Sequence, residues 1–105
     1  MAINAKCLYV VMMDVEPEKE AEFNEIYDKE HIPILLKVPG VLSAARYKTS
    51  EEGVPRYLAI YECESPDVPT GEAFRQASDT GEWAPKIRPF TRNRSRIVYT
   101  RITPQ

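Results

Sequence analysis

The stretch from Lys6 to Asp14 constrains this chain more than any other. Cys7, Tyr9, Val11 and Met13 alternate with Leu8, Val10 and Met12, so a strand here is apolar on both faces and must be covered on both. The chain's own helices can cover one face. A chain of 105 residues makes one domain, residues 1–105, and hardly supplies a second layer. Large exposed apolar patches are rare on stable monomers, so a second copy is the expected cover and a homodimer the expected state. The other reading is that the long C-terminal segment folds back over the sheet.

Composition closes off several classes. With 43% apolar and 29% charged residues, the chain is neither mostly disordered nor a membrane protein. Its longest apolar run, Leu8 to Met13, is far short of the about 20 residues that span a bilayer. Fourteen basic against sixteen acidic residues leave a net charge of -2, which argues against a nucleic-acid binder. The segment Met1 to Lys6 lacks a basic stretch followed by a long apolar one, so a cytoplasmic location is expected. Cys7 and Cys63 form no CxxC pair, and one histidine completes no familiar zinc set with them, so no metal is expected. They read as reduced, buried thiols on strands, with a disulfide as the other reading.

The order of elements follows from periodicity and breakers. Pro17 opens a helix whose first turns carry Glu18, Glu20 and Glu22, which suits the positive end of the helix dipole. Phe23, Ile26, Tyr27, Glu30, His31 and Ile34 share one helical face. Pro33 cannot donate to the Lys29 carbonyl, so the helix is predicted to kink or restart near Ile32 and to end at Pro39-Gly40. Strands are predicted over Val41–Thr49 and Arg56–Cys63, a short helix over Gly71–Ala77, a helical turn between Pro85 and Pro89, and a last strand over Ser95–Thr103. The order is βαββαβ, an α+β ferredoxin-like pattern: a four-stranded antiparallel sheet with helices on one face.

The candidate site lies in Glu22–Pro33, which holds the only histidine. Tyr27 lies four residues before His31 and Asp28 three before, so both are helical neighbours of the imidazole. Burial disfavours the charged ring, whereas nearby carboxylates and a helix end favour it. A lone imidazole near neutrality suits proton transfer, and a packed or capping histidine is the plainer reading.

The residues Glu22-Phe23-Asn24-Glu25-Ile26-Tyr27-Asp28-Lys29-Glu30-His31-Ile32-Pro33, then Val38-Pro39-Gly40-Val41 and Ala45-Arg46-Tyr47, resemble the dimeric α/β-barrel superfamily, in its EthD-like branch. Ile26 departs from the tryptophan of many relatives. The resemblance implies a ferredoxin-like protomer, a homodimer built through the sheets, and a pocket between sheet and helices. It also implies activities that include lactone isomerases, polyketide cyclases and dehydratases, and cofactor-free monooxygenases. In several of these the histidine matching His31 serves in proton transfer, and neither metal nor flavin is implied.

On this reading the chain is a small cofactor-free enzyme acting on an aromatic, lactone or polyketide-like carbonyl compound by isomerisation, cyclisation or dehydration. His31 is the acid or base, Tyr27 and Asp28 orient it, and Arg46 or an arginine of the basic tail holds developing negative charge. Phe23, Tyr61 and Trp83 complete the expected substrate-binding set; Trp83, between Gly81 and Pro85, is either a lid or a plug of the core. The basic run Lys86, Arg88, Arg92, Arg94, Arg96 and Arg101 reads as balance for the acidic first helix. A cofactor-free monooxygenase and a non-catalytic binding or assembly module are the alternatives.

Overall fold

The computed structural model describes residues 5–104; Met1 to Asn4, most of the Met1 to Lys6 segment read above for a secretory signal, lie outside the described residues. Strands β1 (Cys7–Val15), β2 (Val41–Lys48), β3 (Tyr57–Cys63) and β4 (Thr91–Thr100) form one sheet in the order β2-β3-β1-β4. Every pairing is antiparallel. Helices α1 (Glu20–Ile26), α2 (Ile32–Leu35) and α3 (Glu72–Ser78) complete the ferredoxin-like α+β fold. None of the described helices is long and apolar enough to cross a membrane.

The strand that is apolar on both faces takes a central place, hydrogen-bonded to β3 on one side and β4 on the other. On its inner face Cys7, Val11 and Met13 join Tyr57, Ala59, Tyr61 and Cys63 of β3 in the core. The helical side contributes Phe23, Ile26, Leu35, Phe74 and Ile87. Phe23 and Ile87 are wholly buried, and burial of such a side chain stabilises the fold by about 1.5–3 kcal/mol. Cys7 and Cys63 are free and buried, and they face each other across β1 and β3. Burial and the neighbouring Cys7 push the Cys63 thiol up to about 11, which keeps it protonated and unreactive.

The other face aligns Val10 between Ile60 and Ile97, Met12 beside Leu58, and Leu8 beside Tyr99. Tyr47, Ile97 and Tyr99 stand exposed. The segment after β4 borders a groove with Ala5, Leu8 and Tyr99 and leaves Ile102 78% exposed, so it does not supply the missing cover.

Three predicted elements are corrected. The last strand begins at Thr91, not Ser95, and ends at Thr100, not Thr103. The polar residues Arg92 to Arg94 conceal the extension, which forms because β1 runs on to Val15 and offers Thr91 and Arg92 a backbone partner. The turn expected between Pro85 and Pro89 is a wide helical turn over Trp83–Ile87 followed by a tight one over Arg88–Phe90. Pro17 opens a tight turn, Pro17–Lys19, and the α-helix starts only at Glu20.

Candidate active site

Between α1 and α2 the chain widens into one π-helical turn, Tyr27–His31, in which the Ile32 amide donates to the Tyr27 carbonyl. This is how the structure resolves the predicted kink. The turn takes up an extra residue just before Pro33, so the proline ring sits in the first turn of α2, where its missing N–H costs nothing. The widened turn keeps both Tyr27 and His31 on the packed side, each almost fully buried.

Phe23, Tyr27 and His31 form the expected column. The Tyr27 ring meets Phe23 edge-on at 5.7 Å and His31 edge-on at 5.0 Å. Trp83 closes one side: it stacks on His31 at 4.7 Å and meets Tyr27 edge-on at 4.9 Å. Its loop is fixed by Glu30, whose carboxylate accepts from the Glu82 amide at 2.6 Å. Gly81, at a φ of +84°, gives that carboxylate room, since a Cβ there would collide with it. Trp83 is thus part of the buried core and of the cavity wall at once.

Beyond the column opens a cavity of about 190 Å³, bordered by His31, Tyr27, Tyr61, Tyr9, Phe74 and Trp83, with Arg88, Arg94 and Arg96 on its polar side. The Tyr27 and Tyr61 hydroxyls bond each other at 2.7 Å. Burial pushes Tyr27 up to about 12 and Tyr61 upward as well, so both remain hydrogen-bond donors at neutral pH. The imidazole is the opposite case. Burial, reinforced by the nearby Arg88 cation, lowers His31 to about 4, so the ring is neutral. Its Nδ1 is buried and has no hydrogen-bond partner among the described residues. A neutral imidazole that borders a cavity has a lone pair with which to accept a proton, although the same burial and the Arg88 cation disfavour the charged ring that results.

The residues singled out from the sequence divide into two groups. His31, Tyr27, Tyr61 and Trp83 meet at the cavity. Phe23 lies behind Tyr27, wholly buried in the core. Asp28 and Arg46 belong elsewhere. Arg46 Nη1 donates to Asp28 Oδ1 at 2.7 Å and Nη2 to Asn24 Oδ1 at 2.8 Å, beside a separate groove bordered by Tyr47, Lys48 and Tyr57. Asp28 thus braces Arg46 rather than orienting His31, because the π-helical turn carries the two residues to different sides of the helix. Arg46 in turn lies over the rings of Tyr27, Phe23 and Tyr57, at 4.5, 5.1 and 5.6 Å. Sequence reasoning gave Glu30 no role in the site. It weighed the tail arginines only as a group, although the alternation of Arg94 and Arg96 was a legible signal that these two share a strand face. No group of three metal-ligating side chains occurs among the described residues.

No family model and no curated protein matches the sequence. Solved structures do. A candidate antibiotic biosynthesis monooxygenase from Bordetella bronchiseptica superposes with a TM-score of 0.72 at 20% identity, over 94% of this chain and 99% of its own. An ethyl tert-butyl ether degradation (EthD) family protein of Bacillus halodurans gives 0.65 at 10% identity, over 91% and 99%. The cofactor-independent oxygenase SnoaB of Streptomyces nogalater gives 0.65 at 17% identity, over 97% and 100%. The chain has the protomer fold of the dimeric α/β-barrel proteins. Dimeric α/β-barrel proteins do not share one reaction: the heme-degrader MhuD of Mycobacterium tuberculosis also has this fold, at 14% identity and a TM-score of 0.64 over 91% and 95% of the two chains. Function must therefore be argued from the site.

Proposed function

We propose that the chain is a cofactor-independent oxygenase of a planar phenolic or carbonyl compound, with His31 as its general base. The observation that carries this reading is the neutral imidazole that borders an aromatic cavity, its buried Nδ1 without a hydrogen-bond partner among the described residues. His31 takes a proton from an acidic C–H or phenolic O–H of the substrate. The resulting anion is the electron donor: dioxygen adds at carbon, the hydroperoxide takes up a proton, and loss of water leaves a carbonyl where a methylene stood. Tyr27 and Tyr61 are held protonated and bonded to each other, which uses one of their two protons; the hydroxyl that accepts that bond keeps its own proton to donate to the substrate oxygen on which negative charge develops. The oxygenases among the fold relatives favour this outcome over isomerisation, cyclisation or dehydration, which need the same base but no dioxygen. A filled space around His31 would favour the non-catalytic module; the space is open, at about 190 Å³.

The apolar outer sheet face supports a homodimer formed through it. An oxygen electrode with an aryl ketone bearing an acidic methylene tests the activity. One dioxygen should be consumed per carbonyl formed, and His31→Ala should lower the rate more than about tenfold while sedimentation still gives a dimer. Product formed without oxygen uptake returns the isomerase, cyclase or dehydratase reading. An unchanged rate in the variant removes His31 from the mechanism.

A further inference from the structure

We propose that Arg94 and Arg96 form an anion subsite at the mouth of the His31 cavity, and that the ligand is a planar aromatic bearing a carboxylate. The inference rests on the reading that this cavity takes the substrate.

A bulge in the edge strand creates the subsite. Between Met12↔Ser95 and Asp14↔Arg92 the β4 strand holds one residue more than β1. Asn93 takes up that residue at a φ of 55°, and its Nδ2 donates to Asp14 at 2.8 Å. Had the pairing run on unbroken from Asp14↔Arg92, Arg94 would stand opposite Met12 and Arg96 opposite Val10, on the outer apolar face. The extra residue shifts the register so that Arg96 pairs with Val11, and both arginines turn to the cavity while Ile97 and Tyr99 take the outer face. The bulge therefore moves two charges off the apolar face and into the site.

The charges around the mouth do not balance. Arg75, Arg88, Arg94 and Arg96 border the cavity with Asp79. Asp79 is already engaged, by Arg88 Nη1 at 2.8 Å and by Arg75 Nη1 at 3.6 Å. Arg75 is also paired with Glu72, and Arg88 Nη2 donates to the Ser78 carbonyl at 3.1 Å. The Arg96 cation lies close enough to the Tyr9 hydroxyl to offset part of the effect of that hydroxyl's burial. Arg94 has no hydrogen-bond or ion-pair partner among the described residues. Burial and the like charges of Arg96 and Arg88 lower its affinity for its own proton, a penalty that a bound anion relieves. Two guanidinium forks at the rim match a carboxylate, and the rings of Trp83, Tyr61 and Phe74 behind them match a flat hydrophobic body.

Calorimetric titration with 1-hydroxy-2-naphthoate and with 1-naphthol separates charge from shape. The wild-type chain should bind the naphthoate at least about tenfold more tightly, as one charge-assisted contact of this kind is worth. Arg94→Gln should remove most of that preference and move naphthol affinity less than about twofold. Arg92→Gln is the control for overall charge, because Arg92 pairs with Glu16 and does not border the cavity, and it should keep the preference. Equal affinities in the wild type, a preference that survives Arg94→Gln, an equal loss in Arg92→Gln, or binding of neither probe would each overturn the proposal. Binding is read without turnover, so an anion preference without oxygen uptake leaves the subsite standing and rejects the oxygenase.

Discussion

Arg46 on β2 and Arg94 on β4 lie at opposite edges of the sheet, yet their surroundings differ in every respect that matters. At the β2 edge α1 lies overhead, and Arg46 is clamped by Asp28 and Asn24 and covers three aromatic rings, with its side chain only 14% exposed. At the β4 edge a cavity mouth replaces the helix. Arg94 there has no anionic partner among the described residues, and its nearest charges are other arginines. The same side chain is a brace where its bonds are satisfied and a ligand-facing group where they are not. The sequence reading had offered either Arg46 or a tail arginine for negative charge on a substrate, and packing separates the two.

Three measurements would break or sharpen this contrast. The largest effect concerns the neutral imidazole on the cavity side. His31 is held at about 4 against an ordinary value near 6.5, so the unfolded chain binds more protons between those limits and stability rises with pH across them. This contribution, about 3 kcal/mol, is complete above pH ~6.5 and is lost as pH falls toward ~4. Urea midpoints taken across that window should show the loss in wild type and a much flatter profile in His31→Phe. Parallel profiles would mean that the ring is not held neutral by the fold. Next comes Arg46→Ala, which removes two charge-assisted hydrogen bonds and the ring stacking and should destabilise by about 2–3 kcal/mol in urea. A cost below about 0.5 kcal/mol would show that Arg46 is no brace. The smallest effect is expected of Arg94→Gln, within about 0.5 kcal/mol of wild type. A larger loss would reveal a structural partner for Arg94 and end the distinction between the edges.

Much of the site was readable because it lies within one helical stretch. The spacing of Phe23, Tyr27 and His31 fixes a shared face, and Pro33 marks the irregular turn. Asp28 was misjudged for the same reason: helical neighbours on paper are parted by one π-helical turn, which is a property of backbone hydrogen bonds rather than of spacing. The walls brought from afar were less legible. Trp83 reaches His31 from a loop that bonds back to Glu30, and Tyr9 enters through the pleat of β1. The start of β4 was hidden by its polarity, since an edge strand needs a backbone partner and not an apolar face.

What the amino-acid order alone determined was the layering. A strand apolar front and back, followed by one amphipathic helix with an early proline, leaves few arrangements besides a central position in a sheet with helices on one side. Local periodicity and the free energy of burial are enough for that. What only the tertiary structure decided was which charges are satisfied. The neutrality of His31, the bracing role of Arg46 and the inward turn of Arg94 and Arg96 depend on long-range packing and on one extra residue in β4. Desolvation and charge pairing are set by neighbours in space, and spacing along the chain does not encode them.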